Sequence, residues 1–299
     1  MKILLLEKFP EIKREYLNYL EKNNEIFEIW ENYKNEEIEV IIIRSNIEVN
    51  SDLLDKYKNL KFVARIWVWL DKIDLEECTK RKIKVLNTPG ANANAVSDLV
   101  LAWVLNLARN LNLWVHLETE NDRFINDRFE YMWFELENKS VWIIGFGNIW
   151  KKVYKKFKVF WVKKFYIFDP FLKKEDVEKN SFCEFVEDKN NIFKYSNIIS
   201  FHIPLLESTK NFLWKKEIKL LKKDVVLVNT SRWWIINEKV LVHFFRENKK
   251  SRFFADVWEE EPNDPKIELF ELPNVLITPH IWAMTKESEE KMHFFKELI

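Results

Sequence analysis

VWIIGFGNIWKKVYKKFKVFWVKKFYIFD, residues 141–169, is the stretch whose reading decides the fold. The apolar run Val141–Ile144 meets Gly145-Phe146-Gly147-Asn148-Ile149. A Lys-rich amphipathic segment follows, and a second short apolar run, Phe165–Phe168, ends at Asp169. This is the pattern of a strand, a tight glycine turn, a helix, a second strand and an acid. Asp169 follows Gly147 by 22 residues, close to the roughly 20 that separate the turn from a ribose-binding carboxylate in a dinucleotide site. One position departs from the pattern: the third glycine of G-x-G-x-x-G falls at residue 150, which is Trp150.

The same alternation extends in both directions. Downstream, Ile198–Phe201, Val225–Val228, Phe253–Asp256 and Val275–Ile277 read as strands between helical segments. Upstream, Ile3–Leu6, Val40–Ile43, Phe62–Ala64 and Val85–Leu86 do the same, with helices expected at Glu11–Leu20 and Leu53–Leu60. Uninterrupted apolar strands separated by helices imply parallel sheets covered on both faces. The upstream unit has no glycine-rich phosphate turn, so it reads as a substrate domain rather than a nucleotide domain. Asn87-Thr88-Pro89-Gly90 is the hinge candidate. After it comes a long apolar helix, about Ala95 to Leu113, expected to be buried against a second subunit. The fold class is therefore α/β, with two Rossmann-like doubly wound parallel-sheet domains and the active site in the cleft between them. Residues 1–90 with 284–299 form the first, flavodoxin-like domain, and 91–283 the nucleotide-binding one.

The totals exclude several alternatives. The 299 residues carry 48 basic and 48 acidic side chains, a balance that gives no reason to expect a nucleic-acid or membrane-surface binder. The apolar run in MKILLLEKFP is too short for a signal peptide or a membrane span, so a cytoplasmic protein is expected. Cys78 and Cys183 form neither a disulfide framework nor a metal spacing, and no metal site is expected.

Ligands of a doubly wound sheet gather beyond the carboxyl ends of its strands. Arg232 in Asn229-Thr230-Ser231-Arg232, Asp256 and Glu261 in the run ending at Pro262, and His280 in Thr278-Pro279-His280 all fall there. An arginine, a carboxylate and a histidine so arranged can orient an anionic substrate and move a proton.

These ordered motifs, behind GFGNI and NTPGANANAVSDLV (87–100), resemble the D-isomer-specific 2-hydroxyacid dehydrogenases over nearly the whole chain. The resemblance implies an NAD-dependent oxidoreductase that interconverts a D-2-hydroxy acid and its 2-oxo acid, as a homodimer. Arg232 would bind the substrate's carboxylate and carbonyl oxygens. His280 would be the general acid/base, and Glu261 would pair with it and favour its protonated form. Gly145, Gly147, Asn148 and Ile149 would form the phosphate turn, and Asp169 would accept the adenosine ribose hydroxyls. Thr230, His202 and Pro204 would line the cofactor groove, with Asp256 on the nicotinamide side. The segment around Val68 and Trp69 would cradle the substrate carboxylate. Arg65, Arg81 and Arg128 match phosphate-binding places of phosphoglycerate dehydrogenases, and arginine's fork suits phosphate. The resemblance thus leans toward 3-phosphoglycerate and serine synthesis, in a short form without a regulatory domain. Glyoxylate, hydroxypyruvate or lactate are the alternative substrates, and a non-enzymatic NAD-binding interaction protein is the alternative class.

Glycine at an average usage of about 7% would give roughly 21 residues here, yet there are 3, beside 14 tryptophans. Aligned on the family's pattern, most of the tryptophans fall on its glycines: Trp67, Trp69, Trp133, Trp142, Trp150, Trp161, Trp214, Trp233, Trp234 and Trp282. An indole at residue 150 is expected to push the helix from the strand, and glycine turns often use φ > 0, which is costly for a bulky residue. Some bacteria read UGA as glycine, and the pattern predicts that these positions are UGA codons read as glycine in the cell. A composition rich in Lys, Asn, Ile and Phe fits the AT-rich genome this requires.

Overall fold

A computed structural model describes residues 1–7, 18–44, 47–66, 68, 70, 72–111, 134–179, 182–259 and 268–292. The chain forms two compact units, residues 1–92 with 283–299, and residues 93–282.

In the first unit, β1 (Lys2–Leu5), β2 (Glu25–Glu28), β3 (Val40–Ile43), β4 (Phe62–Arg65) and β5 (Lys84–Leu86) build a parallel sheet in the order β2-β1-β3-β4-β5. This is the flavodoxin-like order. All four residues of β3 are buried, as a strand covered on both faces requires. Helices α1 (Ser51–Lys56) and α2 (Leu75–Lys80) begin where a side chain caps them: Asn50 accepts from the N–H of Leu53, and Asp74 from that of Glu77. α1 stops short of the expected Leu60. The expected helix at Glu11–Leu20 lies mostly outside the described residues.

The second unit opens with α3 (Ala93–Arg109), whose Val96, Val100, Val104 and Leu107 are buried at helical spacing. It ends at Asn110, which takes φ +53, a conformation asparagine tolerates at a helix end. The sheet comprises β6 (Ser140–Ile144), β7 (Lys164–Phe168), β8 (Cys183–Phe185), β9 (Ile198–Phe201), β10 (Val226–Asn229), β11 (Arg252–Ala255) and β12 (Val275–Ile277). All are parallel, in the order β12-β11-β10-β9-β6-β7-β8. The strand order reverses between β6 and β9, which is where such sheets bind ligands. Helix α4 (Asn148–Lys158) links β6 to β7, α5 (Lys174–Glu178) leads to β8, α6 (Lys189–Tyr195) to β9, and α7 (Glu238–Glu247) to β11. Phe201, Phe245, Phe253 and Ile199 are fully buried in its core. Each such side chain contributes on the order of 1.5–3 kcal/mol by leaving water. The last helix, α8 (Lys286–Met292), belongs to the first unit.

At residue 150 the indole is accommodated inside the fold. It is buried, stacks on Phe146 at 3.7 Å and tilts against Tyr154 at 5.6 Å. Trp142 in β6 stacks on Tyr166 at 4.3 Å. The cost appears elsewhere: neither indole N–H finds an acceptor among the described residues. Trp161, just past α4, takes φ +55 with its ring exposed. Trp67, Trp69 and Trp133 lie outside the described residues.

Candidate active site

The carboxyl ends of the second sheet carry the chemistry in one row. Read across β7-β6-β9-β10-β11-β12, the strands are followed by Asp169, Gly145, His202, Thr230 with Arg232, Asp256, and His280. Five strand steps at ~4.8 Å make a row on the order of 24 Å long.

At the β6 end, Gly145 has φ +95, and a Cβ there would lie 2.7 Å from the His202 carbonyl oxygen, so only glycine fits. Gly147 is different. Its φ is −77 and a Cβ would meet nothing within 4 Å, so the protein itself does not require glycine there. The space beside it is open at the N-terminus of α4, whose cap residue is Gly147 itself and so offers no side chain to the first-turn amides. Asn148 is exposed and Ile149 half-buried in that turn. Open space over uncapped amides at a positive helix end fits a pyrophosphate. Asp169 faces the same turn: Oδ2 accepts from the Phe146 N–H at 2.9 Å, and Oδ1 from the Phe171 N–H at 2.9 Å. Each oxygen keeps a lone pair for a ribose hydroxyl. The residues present therefore fit a dinucleotide, with Trp150 buried and stacked on Phe146 of the turn.

In the middle of the row His202 is buried, with Nε2 and the Ser200 hydroxyl 2.8 Å apart. Burial pushes its pKa down to about 3, so the imidazole is neutral. The next turn, Pro204 to Thr209, is tied by the Thr209 hydroxyl, which donates to the Pro204 carbonyl at 2.7 Å and accepts from the Leu206 N–H at 2.7 Å. Thr230 is buried, and its hydroxyl has no partner among the described residues. Asn229 shapes the turn that carries Arg232. Its Oδ1 accepts from the Ser231 N–H at 3.1 Å and hydroxyl at 2.7 Å, and its Nδ2 donates to the Arg232 carbonyl at 3.0 Å. Sequence reasoning passed over Asn229, although an asparagine at a strand end is a turn-forming signal.

At the far end, Asp256 is fully buried. Its Oδ1 accepts from the Thr278 hydroxyl and from the Ile281 N–H at 2.9 Å, and its Oδ2 from the Trp282 N–H at 2.7 Å. Burial pushes its pKa up; the three donors and the His280 charge oppose that. His280 stands inside this clamp at φ +54, with its N–H on the Thr278 carbonyl at 2.9 Å. The left-handed region costs a non-glycine residue about 1–2 kcal/mol, and the surrounding bonds offset it.

The substrate candidates of the first unit fare unequally. Val68 is half-buried, and its carbonyl accepts from Asn87 Nδ2 at 2.7 Å, which ties the loop after β4 to the segment after β5. Arg65 ends β4, is 2% exposed, and donates through Nε to the Arg44 carbonyl at 3.2 Å. Arg81 precedes β5, at the amino edge of the sheet rather than the ligand edge, and is bridged to Asp55 at 2.7 Å and Glu77 at 2.8 Å. Glu261, Trp69 and Arg128 lie outside the described residues.

A doubly wound sheet with a glycine turn, an acid after the next strand, and Arg232 and His280 along one edge defines a dinucleotide-dependent oxidoreductase. Residues 101–281 match the sequence model of the D-isomer specific 2-hydroxyacid dehydrogenase family, NAD binding domain, and the chain belongs to that family. It is an NAD-dependent enzyme acting on CH–OH groups. Among its relatives is a hydroxypyruvate reductase from Thermotoga maritima, 35% identical over 88% of this chain and 85% of that protein. Another is a D-3-phosphoglycerate dehydrogenase from Methanocaldococcus jannaschii, 34% identical over 86% of this chain. The chain spans about half, 48%, of the length of that relative. The crystal structure of D-lactate dehydrogenase from Aquifex aeolicus, complexed with NAD and lactic acid, shares the fold. Its TM-score is 0.81 at 24% identity, covering 98% of this chain and 92% of that one.

Proposed function

We propose that the chain reduces a short 2-oxo acid of the hydroxypyruvate or glyoxylate type to its D-2-hydroxy acid. The observation that carries this reading is the row Asp169, Gly145, His202, Thr230, Arg232, Asp256, His280 along one sheet edge. Arg232 binds the substrate's carboxylate and carbonyl oxygen through its fork. His280 donates the proton to the carbonyl oxygen in reduction and takes it back in oxidation. Glu261, outside the described residues, is the carboxylate that the family resemblance assigns to His280. Asp169 holds the ribose, and Gly145, Gly147, Asn148 and Ile149 leave backbone room for phosphate, while His202, Pro204 and Thr230 line the groove. When bound, NAD supplies the hydride acceptor or donor.

The sequence leaned toward 3-phosphoglycerate on the strength of three arginines. Arg81 is held by two carboxylates at the amino edge of its sheet, and Arg65 is buried, which weakens that lean. Phosphoglycerate remains the second reading, supported by the Methanocaldococcus relative and by Arg128. NADH oxidation at 340 nm with hydroxypyruvate, glyoxylate and 3-phosphohydroxypyruvate tests both. The first reading expects kcat/KM for hydroxypyruvate or glyoxylate to exceed that for the phosphorylated acid. The reverse order replaces it with the second, and no turnover of any 2-oxo acid defeats both.

A further inference from the structure

We propose that Asp256 is a positioning residue that sets the geometry of the His280 loop, rather than a group reserved for the cofactor. The inference rests on His280 being the acid/base. Both carboxylate oxygens of Asp256 are engaged by the segment that carries His280. Oδ1 takes the Thr278 hydroxyl and the Ile281 N–H, and Oδ2 takes the Trp282 N–H. These donors lie two residues before His280 and one and two residues after it, so the histidine sits on a loop clasped from both sides.

The backbone explains why a clasp is needed. β12 ends at Ile277, and the chain must leave the sheet at Thr278, whose N–H is still bonded to Ala255. Pro279 has no N–H to give. His280 then takes a left-handed conformation that a non-glycine residue avoids unless its surroundings impose it. A carboxylate is the group able to gather three donors around one point, since it accepts at about four lone-pair sites and donates at none. Asp256 itself is fixed: it directly follows β11, is fully buried, and its N–H is bonded to the Asn229 carbonyl. The clasp therefore also ties the His280 loop to Asn229, whose side chain shapes the Arg232 turn. Acid/base and substrate-binding groups share one hydrogen-bonded frame.

Two variants separate positioning from a cofactor contact. Asp256→Asn keeps one acceptor oxygen but turns an amide N–H toward the donors. Thr278→Val removes one donor and leaves the carboxylate, and Thr278→Ser restores it. Positioning expects kcat to fall at least 100-fold in Asp256→Asn and several-fold in Thr278→Val. The Kd for NADH stays within about threefold, and Thr278→Ser recovers the parent kcat. A rise in the NADH Kd with kcat unchanged, and no effect of Thr278→Val, would overturn it. A second readout needs neither turnover nor cofactor: the His280 imidazole NMR signals, identified by their loss in His280→Asn, should shift in Asp256→Asn and Thr278→Val. Unchanged signals overturn the proposal even if activity drops. Should Asp256→Asn fail to fold, the Thr278 pair still decides the matter. A parent chain without turnover defeats the proposed function and leaves the NMR test standing.

Discussion

The carbonyl oxygen of His202 lies 2.7 Å from where a Cβ on Gly145 would stand, so β9 closes over the first glycine of the turn. The obstacle is backbone and cannot rotate away, and the residue's φ of +95 is itself disfavoured for any L side chain. Gly145→Ala is expected to cost about 2–4 kcal/mol in stability, read as a lower urea midpoint at unchanged slope. Gly147→Ala is the contrast, because a Cβ there meets nothing. Its urea midpoint should match the parent, while NADH affinity falls at least tenfold as the methyl enters the phosphate space. Equal stability loss in both variants would refute this division of labour.

Trp161 offers the cleanest test of the glycine reading. Its ring is 73% exposed, so its removal opens no cavity, and its φ of +55 is the conformation glycine adopts freely after a helix. Trp161→Gly should stabilise the chain by about 1 kcal/mol. Trp142 and Trp150, whose buried N–H groups have no acceptor among the described residues, carry the same signature from within the core. Peptide mass spectrometry of the protein from its own cells should find glycine at 142, 150 and 161, and the codons should be UGA. UGG codons, or tryptophan in the native peptides, would end the idea.

Legibility in the sequence followed burial. β3 and β9 were readable to the residue because a central parallel strand is buried along its whole length, and β12, although an edge strand, was readable because it is the unbroken apolar run Val-Leu-Ile. β2 and β8 were missed; both are edge strands, Glu-Ile-Phe-Glu and Cys-Glu-Phe, too short and mixed to stand out from a loop. Arg81 shows a second limit. Its residue type suited a phosphate, but one of the two carboxylates that hold it, Asp55, is 26 residues away in sequence and meets it only on folding. Asp256 shows a third. Its place at a strand end was readable, whereas its three donors come from a loop beyond the next strand, and only folding brings them together.

Glu238 supplies a pH test. Burial first, then the neighbouring Glu259, push its pKa up to about 7. An unfolded glutamate titrates near 4.3. Below that value both states are protonated and the residue costs nothing. As pH rises from about 4 to 7 the unfolded chain ionises first, so folding weakens, and above 7 the penalty is constant. The residue is only partly buried, and solvent screening reduces the effect to about 1 kcal/mol. Glu238→Gln should therefore raise the urea midpoint at pH 8 and leave it nearly unchanged at pH 4. An equal change at both pH values would assign the gain to something other than this charge.

Asp169 should govern the choice between NADH and NADPH. Its carboxylate is fixed by the N–H groups of Phe146 and Phe171, so it cannot swing aside to admit a 2′-phosphate. The phosphate would meet a held negative charge and find no hydrogen-bond donor on that side chain. Asp169→Asn removes the charge and keeps one acceptor oxygen for the loop. The ratio of kcat/KM for NADH over NADPH is expected to fall at least tenfold, which corresponds to about 1.4 kcal/mol. Most of the change should come from improved use of NADPH. The variant should also lose on the order of 1 kcal/mol of stability, since its amide turns a donor toward one of the two backbone N–H groups. A ratio that does not move would remove Asp169 from the ribose site, whatever the stability does.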